Sequence, residues 1–368
     1  MKDKLIIFAF DFPPSTGGIA RLSHAIAMGQ RSNFKEVTIL TPSSFTSNDK
    51  HLKVVTLPNK RIKCEWAAYR YLNALTNKED YAVVCGLWHP EAMLSVWAKM
   101  PNVFVLAHGA EFLPRGKALK KRLWLPYYGK NILERATKVV ANSTFTKERV
   151  LQIASKSNVI AIPLGVDESH FFPLENDSIH SKLIISTVSR LQKHKGHLQV
   201  LEAIHKLPIH IREHIEWHIA GTGSYEKTIK AKVTELNLDE VVKFHGFIPD
   251  EKLNAFYNSS DLFVLFSQEE QGAGTVEGFG LVFLEAQSSG IPVIGTRTGG
   301  IEDAVKPNEG GWLLASENVS GLSELLVHLI THPNELKEQG KLARDRVLRE
   351  GTWKHYQSLI FKAMQETR

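Results

Sequence analysis

Short apolar runs alternate with amphipathic stretches along the chain. "KLIIFAF" (4–10), "EVTIL" (36–40), "YAVVCGL" (81–87), "NVFVLAH" (102–108) and "KVVAN" (138–142) read as buried strands. Between them lie helical patterns such as "IARLSHAIAMGQ" (19–30) and "CEWAAYRYLNALTN" (64–77). Runs without strict alternation, separated by helices, predict a parallel sheet covered on both faces. The rhythm breaks at "PLGVDESHFFPLENDSIHSK" (163–182), which is rich in polar and turn residues. It restarts with "KLIISTVS" (182–189), "IEWHIAG" (215–221), "VVKFHGF" (241–247), "DLFVLFS" (261–267) and "IPVIGT" (291–296). The pattern therefore predicts an α/β chain of two Rossmann-like, doubly wound domains joined by a linker near 165–181. The first is expected over 1–168, with a closing helix at 352–368 packing back on it, and the second over 169–351. Such domains are expected to face a central cleft. Ligands of open parallel sheets bind at the carboxyl ends of the strands, so the chemistry is sought there.

Composition narrows the picture only a little. The chain has 368 residues, 43% hydrophobic and 23% charged, as in globular proteins with large cores. A formal net charge of +6 suits an anionic ligand or an anionic membrane surface. Cys64 and Cys85 are too few for a disulfide framework and lack metal spacing, which points to a reducing cytoplasm. The start "MKDKLIIFAFDFPP" has too short an apolar stretch for a signal peptide. No run of about eighteen apolar residues occurs, so membrane contact is expected to be peripheral.

Several residues at predicted strand ends carry candidate chemistry. In "FPPSTGGIARL" (12–22), Gly17 and Gly18 precede a helix, where bare backbone and a helix N-terminus favour an anion; the alternative is a tight turn. His108 ends "NVFVLAH" and is placed to meet a sugar hydroxyl or developing charge, or else is satisfied by nearby backbone. In "SRLQKHKGH" (189–197), Arg190 and Lys195 are placed to hold a diphosphate, the one by a bidentate fork, the other as a point charge. Lys193 and His194 read better as a solvated basic loop. "GTGSYE" (221–226) and "GAGTVE" (272–277) resemble dinucleotide fingerprints but lack the third glycine, which weakens a nicotinamide or flavin enzyme.

"EGFGLVFLEA" (277–286) places two carboxylates eight residues apart around a glycine-rich helix start. Gly278 and Gly280 bring backbone N–H groups to that start, which attracts phosphate. Phosphate repels carboxylates, so Glu277 and Glu285 are expected to take hydroxyls. Glu285, about two turns into the helix, would accept from a ribose, and Glu277 from a sugar beyond the diphosphate. The alternative is a glycine-interrupted helix with one exposed and one half-buried acid.

Taken together, "PPSTGGIARL", "HGAEF", "ANSTFTKERV", "IPLGVD", "VSRLQKHKG", "IAGTGS", "FHGFIPDEKLNAFYNSSDLFVLFS", "EGFGLVFLEA" and "SGIPVIGTRTGGIEDAV" cover nearly the whole chain. In this order they resemble the retaining glycosyltransferases of family 4, with the GT-B fold and an E-x7-E motif. The resemblance implies that Gly17 and Gly18 back the donor diphosphate, and that His108 approaches the donor sugar near its reacting carbon. Arg190 and Lys195 would neutralise the leaving group. Glu277 would contact the sugar and Glu285 the ribose. Gly278, Phe279, Gly280 and Leu281 would line the phosphate side, and Phe247 and Ile248 the base. It implies sugar transfer with retention, the departing phosphate oxygen taking the acceptor proton. No metal and no cofactor beyond the nucleotide-sugar donor is implied.

Here the link "SQEEQGAGTVEGFG" (267–280) is longer than the family's usual Ser-x-x-E-G-F-G, and Glu269 and Glu270 compete for the first glutamate. The eight-residue spacing to Glu285 selects Glu277. The long link resembles the GDP-mannose-dependent mannosyltransferases, which makes GDP-mannose the expected donor and a UDP-sugar the alternative. The expected acceptor is a lipid-linked or cell-surface glycan of polysaccharide or lipopolysaccharide synthesis. "RGKALKKRLWLPYYGK" (115–130), with six Lys/Arg, interleaved aromatics and no acid, reads as a basic amphipathic helix, limited by Pro126, that suits an anionic membrane; the alternative is a solvated basic helix packing its Leu/Trp side on the core. No nucleic-acid signature is present. The rivals are a sugar-nucleotide epimerase or phosphorylase of the same architecture, and a non-catalytic sugar binder.

Overall fold

The computed structural model describes residues 3–15, 17–113, 124–175, 182–269 and 275–366. Met1–Leu164 with Trp353–Arg368 form one unit; Gly165–Gln271 with Thr275–Thr352 form the other.

The first unit holds a seven-stranded parallel sheet. Its strands are β1 (Lys4–Phe8), β2 (Glu36–Thr41), β3 (Leu52–Thr56), β4 (Tyr81–Cys85), β5 (Val103–Ala107), β6 (Lys138–Ala141) and β7 (Val159–Ala161), in the order β3-β2-β1-β4-β5-β6-β7. The central strands β1, β4 and β5 are buried on nearly every residue, as expected when helices cover both faces. One face packs Ile6, Phe8, Val83, Cys85 and Val105 against Cys64, Ala68 and Leu72 of the helix Arg61–Asn73. The closing helix Trp353–Gln365 lies on the helix Gly18–Gln30. Phe34 and Phe361 meet edge-on at 6.0 Å, and Gln30 Nε2 donates to Gln357 Oε1 at 2.8 Å.

The second unit holds six parallel strands: β8 (Leu183–Val188), β9 (Ile215–Ala220), β10 (Val242–Gly246), β11 (Leu262–Val264), β12 (Val293–Thr296) and β13 (Gly311–Leu314). Their order is β10-β9-β8-β11-β12-β13. Ile185, Trp217, Ile219, Val264 and Phe266 centre its core, with Leu201, Ile204, Leu322 and Leu326 from helices.

β3, β7 and β13 are not among the strands expected from the sequence. The expected basic helix at 115–130 lies mostly outside the described residues. Its described part is a π-helical turn, Trp124–Gly129, containing Pro126, followed by the helix Lys130–Arg135. Both cysteines are buried and free. Among the described residues no helix is long and apolar enough to cross a membrane.

Candidate active site

In each sheet the winding reverses once, between β1 and β4 in the first and between β8 and β11 in the second. A parallel sheet opens a crevice at the carboxyl ends of such a strand pair. The candidate residues follow β1, β8 and β11 of these pairs and the further strands β5 and β10.

In the first unit the helix Gly18–Gln30 starts from Gly17, with no side-chain cap among the described residues. Its first N–H groups keep their capacity for an anion. A methyl group at Gly17 would lie 3.2 Å from Asp11 Oδ2, so a carboxylate stands beside the glycine pair. His108 follows β5, and its Nε2 lies 2.8 Å from the Gly86 carbonyl oxygen. A carbonyl only accepts, so Nε2 carries the proton and Nδ1 is the acceptor of the neutral ring. The main-chain N–H of His108 donates to Glu111 Oε1 at 2.6 Å, and Asn142 Nδ2 donates to the His108 carbonyl at 3.3 Å. Asn142 belongs to "ANSTFT", whose Ser143 caps the helix Thr144–Ile153 through Thr146 N. Backbone thus does hold His108, while leaving Nδ1 without a hydrogen bond among the described residues.

In the second unit the loop after β8 carries Arg190 and Lys195. Arg190 is exposed, and its guanidinium makes no ion pair or hydrogen bond among the described residues. Lys195 Nζ meets Glu277 Oε2 at 2.5 Å, with side chains 12% and 16% exposed. Glu277 is held at its backbone as well, because its carbonyl accepts the Gly300 N–H at 2.9 Å. "GTGSYE" serves this loop rather than a dinucleotide: Leu191 N donates to the Thr222 carbonyl at 2.9 Å and Tyr225 N to the Leu191 carbonyl at 3.0 Å. Gly272–Gly274 of "GAGTVE", and Glu270, lie outside the described residues.

Gly280, at φ 90°, caps the helix Leu281–Ser288 from the left-handed region with no side-chain cap bond. Gly278 and Leu281 are half-buried, and Phe279 is buried. Glu285 departs from the expected placement. It sits one turn, not two, into this helix, because Gly280 delays the helix start. It is 5% exposed and accepts the Tyr257 hydroxyl at 2.8 Å. Tyr257, on the helix Asp250–Asn258, is a partner that the motif does not announce, because it is far from it in sequence. At the end of β10, Phe247 is 73% exposed and Ile248 half-buried.

Models of two families match the chain in succession: glycosyltransferase family 4 over residues 16–170 and glycosyl transferases group 1 over residues 172–346. The chain belongs to the group 1 and family 4 glycosyltransferases. It is similar to a GDP-mannose-dependent alpha-(1-6)-phosphatidylinositol monomannoside mannosyltransferase from Mycolicibacterium smegmatis, with 24% identity over 95% of this chain and 95% of the relative. Among solved structures, sucrose-phosphate synthase from Thermosynechococcus elongatus superposes with a TM-score of 0.78 at 20% identity, over 99% of this chain and 98% of that one. HepE of Anabaena, solved with UDP-glucose, gives 0.76 at 18% identity, over 98% and 99%. The fold of this glycosyltransferase is GT-B, as its motifs imply.

Proposed function

We propose that this glycosyltransferase moves mannose from GDP-mannose to a hydroxyl of a lipid-linked or cell-surface glycan, with retention at the anomeric carbon. The observation that carries the reading is the Lys195–Glu277 pair at the β8/β11 crevice, with the exposed Arg190 on the same loop as Lys195. Two cations and a carboxylate at a strand-end crevice suit a diphosphate whose sugar hydroxyls lie next to it.

The roles follow from chemistry. Arg190 and Lys195 stabilise the charge that develops on the departing diphosphate. The bond from the anomeric carbon to the phosphate oxygen breaks while the acceptor oxygen bonds on the same face. The acceptor proton passes to the departing phosphate oxygen. Glu277 orients the sugar, Glu285 the ribose, and Gly278, Phe279, Gly280 and Leu281 present backbone to the phosphates. Phe247 and Ile248 take the base. In the first unit Gly17 and Gly18 back the diphosphate, and His108 accepts a sugar hydroxyl at Nδ1. Asp11 favours a hydroxyl-bearing group beside the glycines. The positive charge comes from side chains, and the reading uses no metal. It places the chain in the cytoplasm, with its acceptor at the membrane face.

The mycobacterial relative supports GDP-mannose as donor. HepE's complex with UDP-glucose favours a second reading, a UDP-sugar donor. Thermal stabilisation by GDP, GDP-mannose, UDP, UDP-glucose and ADP tests the two. A ligand that binds only the folded state raises the melting temperature according to its affinity. A shift with GDP and GDP-mannose supports the first reading, and a shift confined to UDP compounds supports the second. No shift with any of them overturns both.

A further inference from the structure

At the β1/β4 crevice stands Glu91, a residue with no part in the reading above. It follows β4 in the π-helical turn Trp88–Ala92 and is 1% exposed. Its Oε1 accepts the main-chain N–H of Phe10, two residues past the end of β1, at 3.1 Å. Among the described residues its Oε2 is buried without a hydrogen-bond partner. The turn is anchored in its own right, since the Glu91 carbonyl accepts Ser95 Oγ at 2.9 Å. A buried carboxyl with an unpaired oxygen is a net cost to the fold. An apolar side chain would fill the space without that cost, so the hydrogen bond to Phe10 is the function left to it.

We propose that Glu91 is a positioning residue of the active site: it clamps Phe10, where the chain leaves β1 towards Asp11, to the end of β4, whose Gly86 carbonyl in turn holds the His108 ring. The distances join the three strand ends. A methyl group at Gly86 would lie 3.7 Å from Glu91 Oε1 and 3.3 Å from Ala9 Cβ, and the Gly86 carbonyl is 2.8 Å from His108 Nε2. One carboxyl therefore ties the chain leaving β1 to the strand end whose carbonyl holds the histidine, within a single unit.

The clamp depends on protonation. Burial pushes Glu91 up to about 7; the N–H groups of Glu91 and Phe10 pull it back, and Asp11 and Glu65 raise it further. Asp11 faces it from the loop after β1 and Glu65 from the helix Arg61–Asn73. The Cys64 and Cys85 thiols, both pushed up mainly by burial, feel its charge too. His108 reaches it through Gly86. The folded value lies above the ordinary 4.5. The protonated carboxyl therefore contributes stability fully below about pH 4.5, and the contribution is lost as pH rises through about 7. Ionised, it draws water to the lone oxygen and loosens the loop.

Hydrogen–deuterium exchange on the full chain tests this without reference to activity. In the wild type, Phe10–Leu22 should lose protection between about pH 6 and pH 8.5, after correction for intrinsic exchange, by roughly tenfold. Glu91→Gln, which keeps the acceptor oxygen and cannot ionise, should stay protected throughout. Glu91→Leu should be unprotected at both. Parallel loss in the wild type and Glu91→Gln would overturn the clamp. The catalytic consequence rests on the transfer reading above: Glu91→Leu should lower kcat for sugar transfer roughly tenfold with donor KM changed less than about threefold, and Glu91→Gln should restore it. Unchanged kcat in a folded Glu91→Leu would reduce Glu91 to a structural residue. A wild type that transfers no sugar overturns the transfer reading alone, because the exchange result still decides the clamp.

Discussion

Lys195 Nζ and Glu277 Oε2 are 2.5 Å apart although 82 residues separate them in the chain. They come from the loops that follow β8 and β11, the two strands between which the winding of the second sheet reverses. The fold, not local sequence, brings the cation to the first glutamate of the E-x7-E motif. With side chains only 12% and 16% exposed, neither charge is well solvated alone. Lys195→Ala and Glu277→Ala should each cost about 1–3 kcal/mol of stability, and the double variant less than their sum, because it leaves no charge unpaired. Denaturant unfolding of the four proteins measures the coupling. Strict additivity would show that the pair is not energetically linked.

Tyr257 fixes Glu285. Loss of its hydroxyl leaves a carboxylate oxygen that is buried and short of one bond. Tyr257→Phe should destabilise the protein by about 1–2 kcal/mol, read as a drop of roughly 2–6 °C in melting temperature. It should also weaken nucleoside diphosphate binding, if Glu285 meets the ribose, and calorimetric titration with GDP reads that directly.

These partners mark what the sequence does and does not disclose. Central strands such as β1, β4 and β5 are legible because both faces are buried and their apolar runs are unbroken. β3, β7 and β13 each have only their first residue fully buried, so they lack the continuous buried run that makes a central strand legible. The residue types and spacing of Arg190, Lys195, Glu277 and Glu285 mark a site, but their partners do not show. Tyr257 lies 28 residues from Glu285, and Glu91 lies 81 from Phe10. The depth of Glu285 in its helix is not legible either. It is set by the left-handed conformation of Gly280, a backbone property that composition does not announce.

Gly196 ends the diphosphate-side loop with φ at 73°, and a Cβ there would come within 1.8 Å of the Phe266 carbonyl oxygen. Backbone blocks the space, so no rotamer relieves the clash. Gly196→Ala should cost more than about 3 kcal/mol. Melting temperature and soluble yield measure it, and a variant as stable as the wild type would contradict this close approach to Phe266.

His197 links this loop to acid stability. Its ring stacks on Trp217 at 6.2 Å, and Nε2 lies 3.2 Å from Ser189 Oγ. Burial first, and then the Lys195 charge, lowers it from 6.5 to about 4. The unfolded chain therefore takes up this proton before the folded one. The contribution is complete above about pH 6.5 and falls, by up to about 3 kcal/mol, as pH drops towards 4. His197→Phe should flatten that part of the stability profile. Parallel profiles for the two proteins would show that another group governs it.

The central claim is sugar transfer at a site built around Glu277. The direct measurement is the passage of label from GDP-mannose into polyprenyl- or phosphatidylinositol-linked glycan, for the wild type and for Glu277→Gln. The account predicts incorporation by the wild type, with the new linkage in the donor's anomeric configuration, and a rate at least roughly a hundredfold lower for the variant. Incorporation by Glu277→Gln at the wild-type rate would contradict it.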